Sequence, residues 1–444
     1  MARLKPIAIL VAAWALFVAY AWPGIMTWDS VNQLIQARNH QLTTWHPPMM
    51  AWIWGLLDHV VQGPLLMLLL QTSLLIIGLY AVFRHYWSPV KASIFAACVF
   101  VFPPVFAPMS AIWKDSLMAG CLLCGVAGLI ATRPLARTGG WIALFAAAAL
   151  RHNAPILILP LTALLVPYAR GWRRIAIGTA LGLAVCGAAT LANRVLADVD
   201  DHPFANMLAL PDLAGLLARA PDIDDATARE LLDGAPLRLD TGIQARARQI
   251  KPERTGWVAV TEDKPPLFAL ATSDDDARGA TAAWWRALTS YPHAYLAYRV
   301  HVFLGTIGWA SSRAPFVTAY EERARDIGYV GEVRDYAGFQ LAIADGLHAI
   351  SGWIIFWPVL YLVLGIGLLV VCWRDLVIRA LVGGALAYEA TLFFVSPGGH
   401  DYRYSHWMIV CVVIASVVRV VTAFATAAPR GTSDPAPPSP APRT

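Results

Sequence analysis

TWDSVNQLIQARNHQLTTWHPP, residues 27–48, is a polar stretch between two apolar segments, and it holds a lone acidic residue, Asp29. When the stretch is read as a helix from Asp29, Gln36 shares the polar face, whereas Val31 and Leu34 lie opposite. Two such faces are typical of a helix that lies on a membrane surface. We therefore expect the chain to be organised as apolar spans on either side of a polar external loop.

Asp29 and the end of this stretch each have two interpretations. Asp29 is either the N-cap of the following helix or a general base toward an acceptor hydroxyl, and both roles are compatible. Pro47 and Pro48 cannot continue a helix but can start one, so a second short helix is predicted after them. His46 either marks that helix start or contacts substrate.

The composition indicates a membrane protein. Of 444 residues, 58% are hydrophobic and only 14% are charged, and several apolar runs are long enough to cross a bilayer. The net charge of +5 comes from basic residues scattered over short loops, which argues against nucleic acid as a partner. The six cysteines lie in apolar runs, which argues against a disulfide framework and against zinc at Cys121 and Cys124.

The apolar runs predict an all-α polytopic membrane protein with about ten transmembrane helices. The predicted spans are 4–22, 63–84, 90–107, 111–132, 138–150, 154–168, 172–196, 347–372, 376–396 and 404–424. A cleaved signal peptide ending at Ala21 is an alternative for the first of them. With a cytoplasmic N-terminus, the loops richest in Lys and Arg fall on the cytoplasmic side, as the positive-inside rule requires.

Five segments are predicted along the chain. Residues 198–294 hold 16 of the 29 acidic residues against 10 Lys and Arg, which indicates a hydrophilic external insertion. Its acidic clusters are interpreted as helix caps or a solvated face, with calcium binding as the alternative. The segments are an N-terminal membrane module at 1–197 with its first loop at 23–48, the insertion at 198–294, a re-entrant or interfacial segment and loop at 295–346, C-terminal spans at 347–424 and a disordered cytoplasmic tail at 425–444.

Ionisable residues near the spans gather at the predicted external ends. Such residues are costly in a bilayer and are usually functional, and both signs together suit an anionic ligand plus an acid or base. Lys114 either pairs with Asp115 or binds phosphate, and Arg151 and Arg403 either reach lipid headgroups or donate to a phosphate. The candidate site residues are Asp29, His46, Lys114, Asp115, Arg151, His152, Asn153, Asp401, Arg403 and Tyr404.

These landmarks resemble the GT-C superfamily of integral-membrane glycosyltransferases. The resemblance rests on Trp28-Asp29-Ser30, His46-Pro47-Pro48, Trp113-Lys114-Asp115, Leu150-Arg151-His152-Asn153 and Asp401-Tyr402-Arg403-Tyr404, in this order along the chain. The layout is also similar, with short juxtamembrane helices in the first external loop and an external insertion. The chain looks most like bacterial multipass branches of the superfamily that carry the same landmarks.

The resemblance implies transfer of a sugar, usually with inversion, from a polyprenyl-phosphate donor at the outer, periplasmic face of the bacterial inner membrane. Asp29 is then the base, and Lys114, Arg151 and Arg403 hold the donor phosphate. Many GT-C enzymes have two adjacent acidic residues in the first loop, whereas Ser30 follows Asp29 here. We therefore expect no metal or other cofactor. The acceptor is a glycan, lipid or protein.

Two other classes of function remain open from the residues. A transporter or flippase for a lipid-linked saccharide would use the same cationic, aromatic cleft without a base. A non-catalytic scaffold in an envelope complex is the third interpretation.

Overall fold

The computed structural model describes residues 4–220, 222–250, 266–309, 338–396 and 401–427. Within these ranges the chain is helical, and the extended residues form only three isolated bridges. The predicted all-α fold is therefore confirmed for the described part of the chain.

The helices follow one another with short connections. The N-terminal helices are α1 Leu4–Ala21, α2 Trp28–Asn39, α3 Met49–Asp58, α4 Leu65–Tyr86, α5 Pro89–Phe100, α6 Pro103–Met109, α7 Lys114–Ile130, α8 Pro134–Leu150, α9 Pro155–Leu165 and α10 Gly171–Leu196. Those of the insertion and the C-terminal part are α11 Leu210–Leu217, α12 Asp225–Leu231, α13 Ile243–Gln249, α14 Asp274–Ser290, α15 Pro292–Thr306, α16 Gly338–Ile350, α17 Pro358–Val371, α18 Leu376–Val395 and α19 His406–Ala427.

Fewer helices than predicted meet a strict test of length and apolarity for a span. Within the described ranges four do so, namely α4, α10, α18 and the segment Tyr402–Phe424. A fifth is obtained if α5 and α6 are counted as one span, although they are bent by 68° at the break between them. The other apolar helices, including α1, α8, α9 and α17, are 10–17 residues long by this test. The chain is multi-pass, but a count of ten spans is not confirmed.

Glycines allow the central helices to pack closely. A Cβ added at Gly140 of α8 would lie 2.6 Å from the Cα of Gly128 in α7, and one at Gly128 would lie 2.4 Å from the Cα of Gly140. At Gly78 of α4, an added Cβ would lie 2.5 Å from the Cβ of Leu123 in α7. Backbones can approach this closely only without side chains, so α7 lies tightly between α4 and α8.

The insertion has a hydrophobic cluster of its own. Its buried side chains come from α11 to α14 and the start of α15, with Leu213 and Phe268 fully buried. Asp224 caps α12, accepting a hydrogen bond of 2.8 Å from the backbone N–H of Thr227, as the sequence predicted. The predicted segment boundaries themselves remain a prediction.

The segment predicted as re-entrant or interfacial begins as helix α15. Its Arg299 is fully buried in protein, where Nη2 lies 2.6 Å from Asp212 Oδ1 and Nη1 donates to the carbonyl of Ser396 at 2.8 Å. Arg299 thus joins the insertion to the end of α18. Residues 310–337 and 428–444 lie outside the described residues, and α19 continues two residues past the predicted start of the tail at residue 425.

Candidate active site

The first external loop is held against the start of α7 by main-chain pairing. Ile25 pairs with Ala111 in a short parallel bridge, in which the Ile25 N–H donates to Ser110 and the Ile112 N–H donates to Ile25, both at 3.0 Å. Gln71 of α4 donates from Nε2 to the carbonyls of Met109 and Ala111 at 2.8 Å each. The chain between α6 and α7 is therefore fixed in an extended form beside α2, which brings Lys114 and Asp115 to the loop.

The N-terminus of α2 is capped by residues other than Asp29. Thr27 is the N-cap, and its backbone N–H donates to Ser30 Oγ at 3.1 Å in a capping box. Ser30 Oγ also donates to the carbonyl of Ile112 at 2.7 Å. The N-cap interpretation of Asp29 is wrong, because its carboxylate lies in the first turn and points to other partners.

Part of the polar face of α2 is buried in protein. Gln33 and Gln36 are as buried as Val31 and Leu34. Gln36 accepts a hydrogen bond of 3.2 Å from the backbone N–H of Thr43, so the loop after α2 folds back over this face. Protein therefore covers Gln33 and Gln36, while Asp29 and Asn32 on the same face are only partly buried, and the membrane-surface position of α2 stays a prediction.

Arg403 lies between carboxylates from different loops. Its Nη1 is 2.6 Å from Asp29 Oδ2, and its Nε is 2.6 Å from Asp401 Oδ2 and 4.0 Å from Asp115 Oδ2. The guanidinium also lies 4.9 Å from the ring centroid of Trp113. One side chain therefore joins the first loop, the start of α7 and the loop before α19.

Arg151 pairs with Asp115 at the end of α8. Arg151 Nη1 donates to Asp115 Oδ1, and its guanidinium lies 4.9 Å from the ring centroid of Tyr404. Arg151 is buried to about the same degree as Arg403, with 12% of each side chain exposed. Neither arginine only snorkels to a surface, and the ion pair predicted for Asp115 forms with Arg151 and not with Lys114.

Lys114, His46 and Asp29 form a chain of polar contacts. Lys114 Nζ lies 2.5 Å from His46 Nδ1, and His46 Nε2 lies 3.5 Å from Asp29 Oδ1. Burial and the charge of Lys114 lower the pKa of His46 to about 4, so the ring is neutral at pH 7. His46 therefore positions Asp29 and Lys114 relative to each other.

Asp29 and Asp401 differ in their electrostatic surroundings. Burial disfavours ionisation of Asp29, but the charge of Arg403 opposes it, together with the contact from His46 and the charge of Lys114, and the pKa of Asp29 is held well below its usual range. For Asp401, burial outweighs the pairing with Arg403 and raises the pKa. The pKa values of these two carboxylates are therefore shifted in opposite directions, and Asp29 is the one whose ionised form is stabilised.

All ten predicted site residues except Asp115 and Asp401 line one cavity of about 430 Å³. Its basic side chains are Lys114, Arg151 and Arg403, and we call it the cationic cavity. Apolar side chains of α9 and α18, including Ile156 and Leu392, line another part of it. The residues 203–208 at the start of the insertion also contribute to its wall.

A second cavity of about 470 Å³ shares Asp29, Trp45 and His46 with the first. Among the described residues, its charged side chains are Asp29, Asp200 and Asp201, without Lys or Arg, and we call it the acidic cavity. Asp29 is thus accessible from two cavities of opposite charge.

Some residues at the site were not predicted from the sequence. Glu389 of α18 is fully buried and accepts a hydrogen bond of 2.6 Å from Ser405 Oγ, which supports the turn that carries Arg403. Its signal was present, since it is an acidic residue inside an apolar run. Asn206 lines both cavities, but nothing in the sequence around it distinguishes it from other polar residues of the insertion.

Arg38 belongs to the first loop but not to the site. Its Nε and Nη2 donate to Asp58 at 2.8 and 3.0 Å, an ion pair that joins the end of α2 to the end of α3. In the part of the chain that the structure describes, no group of three or more His, Cys, Asp or Glu side chains has the arrangement of a metal site.

The fold and the site define a multi-pass, all-helical membrane protein with a charged cavity at one end of its helices. No protein-family model matches the chain, and no curated protein matches it. Among solved structures it is similar to ArnT from Cupriavidus metallidurans in the apo state, with 15% identity over 94% of this chain and 77% of that chain, and a TM-score of 0.33. Because a match at this level provides no correspondence between residues, the site is interpreted from its own geometry.

Proposed function

We propose that the protein is a GT-C-type membrane glycosyltransferase that moves a sugar from a polyprenyl-phosphate donor to an acceptor hydroxyl at the outer face of the bacterial inner membrane. The observation that carries this proposal is the position of Asp29, an ionised carboxylate accessible from both the cationic and the acidic cavity. A transferase needs two substrates that meet at one base, and the two cavities provide that arrangement.

The cationic cavity suits the donor. A polyprenyl-phosphate sugar has an anionic phosphate and an apolar chain, and the cavity combines three basic side chains with the apolar walls of α9 and α18. Lys114, Arg151 and Arg403 hold the phosphate in this proposal. Arg151 and Arg403 are paired with carboxylates, so a bound phosphate competes with Asp115, Asp29 and Asp401 for them.

This competition activates the base. While Arg403 contacts Asp29, the carboxylate is a weak base because its pKa is held low. When the donor phosphate takes the guanidinium, the pKa of Asp29 rises and the carboxylate becomes a better proton acceptor. Donor binding thus prepares Asp29 for the acceptor hydroxyl.

The transfer step is a direct displacement at the anomeric carbon. The acceptor oxygen forms a bond to this carbon while its proton passes to Asp29. The bond between the anomeric carbon and the phosphate oxygen breaks, and its electron pair leaves with the polyprenyl phosphate, where the basic side chains stabilise the charge. The configuration at the anomeric carbon is inverted.

Asp29→Asn tests the base. We expect glycan modification in cells to fall by about 10²- to 10⁴-fold, the range for loss of a general base. The purified variant should remain folded, with a melting temperature lowered by loss of the ion pair with Arg403, and should still bind polyprenyl phosphate, measured by native mass spectrometry. Asp240→Asn, which removes an exposed carboxylate of the insertion, is the matched control and should behave as wild type.

A transporter of lipid-linked saccharide gives the opposite result. Such a protein uses the cationic cavity but needs no base, so Asp29→Asn would retain full function while Arg403→Ala would lose it. Wild-type modification by a folded Asp29→Asn variant would therefore rule out the transferase with this base.

A further inference from the structure

The lining of the acidic cavity indicates the chemical class of the second substrate. Its wall comes from the first loop and from the start of the insertion, which hydrogen bonds fix to each other. Leu42 N–H donates to Asp198 Oδ2 at 2.8 Å, Thr44 N–H donates to the carbonyl of Val199 at 3.0 Å, and Thr44 Oγ1 donates to Asp200 Oδ1 at 2.6 Å. The cavity is therefore preformed between two chain segments about 150 residues apart.

Its lining is rich in side chains that bind hydroxyl groups. Carboxylates, two threonines and five amides line the cavity. The threonines are Thr43 and Thr272, and the amides are Asn32, Gln36, Asn39, Gln41 and Asn206. Amides both donate and accept hydrogen bonds, and carboxylates accept them from hydroxyls. Asn206 is already paired with the backbone of Asp201 and Ala271, so it shapes the wall. A ligand with many hydroxyl groups can pair with the other amides and the carboxylates of such a wall, whereas an alkyl chain cannot.

Two tryptophans border the same cavity. Trp28 precedes Asp29 in α2 and is 44% exposed, and Trp45 precedes His46. Sugar rings have faces of C–H groups that pack on aromatic rings, while their edges donate and accept hydrogen bonds. The combination of aromatic faces with amide and carboxylate edges is suited to a saccharide.

The charge of the acidic cavity limits which saccharides it can bind. Asp200 and Asp201 line it, the hydrogen bond from Thr44 lowers the pKa of Asp200, and His46 is neutral at pH 7. Among the described residues the lining has no Lys or Arg, so an anionic group placed away from the pair of Asp29 and Arg403 meets mainly negative charge, and like charges in a cleft disfavour such ligands. The two cavities therefore separate an anionic from a non-anionic substrate.

We propose that the acidic cavity binds a neutral or amine-bearing saccharide and excludes phosphorylated or carboxylated sugars, so that the acceptor is the hydroxyl of such a saccharide. The role of this saccharide as the acceptor rests on the proposed function, whereas the saccharide-binding site itself does not. Trp28 stacks on the sugar ring, Asp201 selects against negative charge, and Asp29 lies where the reacting hydroxyl enters.

The test is saccharide binding to the full-length protein in lipid nanodiscs, without any donor, by isothermal titration calorimetry. Three probes of equal ring number differ in charge: neutral chitotriose, its fully de-acetylated cationic form, and anionic trigalacturonate. We expect the neutral and cationic trimers to bind at least tenfold more tightly than the anionic one. Equal binding of all three, or preference for the anionic trimer, overturns the proposal.

Matched variants locate the binding. Trp28→Ala should weaken binding of the neutral trimer by about tenfold. Trp28→Phe should keep most of the wild-type affinity, since a smaller aromatic face still stacks on the sugar ring. Asp201→Lys should reduce or reverse the discrimination against trigalacturonate, whereas Asp240→Asn, outside the cavity, should leave all three affinities unchanged. Unaltered affinities in both Trp28→Ala and Asp201→Lys would show that any binding occurs elsewhere and overturn the proposal.

The outcome is distinguishable from failure of the proposed function. If Asp29→Asn retains glycan modification but the trimers bind as expected, the protein holds a saccharide without transferring to it by this base. If transfer depends on Asp29 but no trimer binds, the enzyme stands and the acceptor is of another class.

Discussion

Arg403 is the residue at which the site is most tightly connected, because it contacts carboxylates that come from three separate loops. The sequence marked Arg403 as a basic residue at the start of a span, and the hypothesis that it binds phosphate was based on that position and on the family resemblance. Its contact with Asp29, 374 positions earlier in the chain, was not predictable. Such a pairing depends on which loops meet, and a single sequence has no signal for contacts between distant segments.

His46 provides a pH dependence that follows from its burial. Its pKa is about 4 in the folded protein against an ordinary value of about 6.5, so the unfolded chain binds the proton first as the pH falls. Neutral His46 makes its full contribution to the free energy of unfolding above pH 6.5, and this contribution is lost as the pH falls from 6.5 to 4. At pH 5 the loss is about 2 kcal/mol.

His46→Gln should therefore make the protein less sensitive to acid. We expect the fall in melting temperature between pH 7 and pH 5 to be smaller in this variant than in wild type, because glutamine does not titrate. His348→Gln, at an exposed histidine, is the control and should keep the wild-type pH dependence. An unchanged fall in His46→Gln would show that other groups determine the acid response.

At the scale of elements, the sequence predicted helix starts better than it predicted how the helices meet. Pro48 precedes α3, as expected from the two prolines, and the predicted spans contain most of the long helices. The bend between α5 and α6 and the pairing of Ile25 with Ala111 were not predicted. The bend has a local signal, since Pro103 and Pro104 begin α6 and disfavour helix just before them. The pairing depends on a partner across the bundle, Gln71.

The contact between α7 and α8 can be tested with two adjacent glycines. Gly140 lies against Gly128 with no room for a Cβ, whereas a Cβ at Gly139 would meet no atom within 4 Å. Gly140→Ala should destabilise the protein by about 1–3 kcal/mol through overpacking, and Gly139→Ala should be neutral or slightly stabilising because alanine favours helix. Thermal unfolding in detergent distinguishes the two, and equal melting temperatures would contradict the close packing.

At the scale of the whole molecule, the helix ends that form the site are ends that the predicted alternation of spans places on one side of the membrane. The site lies at the start of α7, the end of α8, the end of α18 and the start of α19, so these helix ends all face one side of the bundle. The positive-inside distribution of Lys and Arg predicts that this side is external. The other end of α7 then lies roughly 25 Å away on the cytoplasmic side.

Cysteine labelling in intact cells tests this orientation. The exposed native thiol is first removed by Cys98→Ser. Single cysteines are then introduced by Asn39→Cys near the site and by Thr132→Cys beyond the far end of α7, and both positions are exposed. A membrane-impermeant maleimide should react with the cysteine at position 39 directly and with that at position 132 only after permeabilisation. The reverse pattern would place the site in the cytoplasm and contradict the proposed use of an external donor.

The sequence by itself determined the class of the protein, the helical character of the chain and the set of polar residues at the site. These follow from composition, from apolar runs and from the cost of placing charge near a bilayer, all of which are local properties. Only the tertiary structure decided which carboxylate pairs with which arginine, that Thr27 and not Asp29 caps α2, and that two cavities of opposite charge share Asp29. These features depend on contacts between loops that are distant in the chain, where packing of the whole bundle, and not local residue preference, sets the geometry.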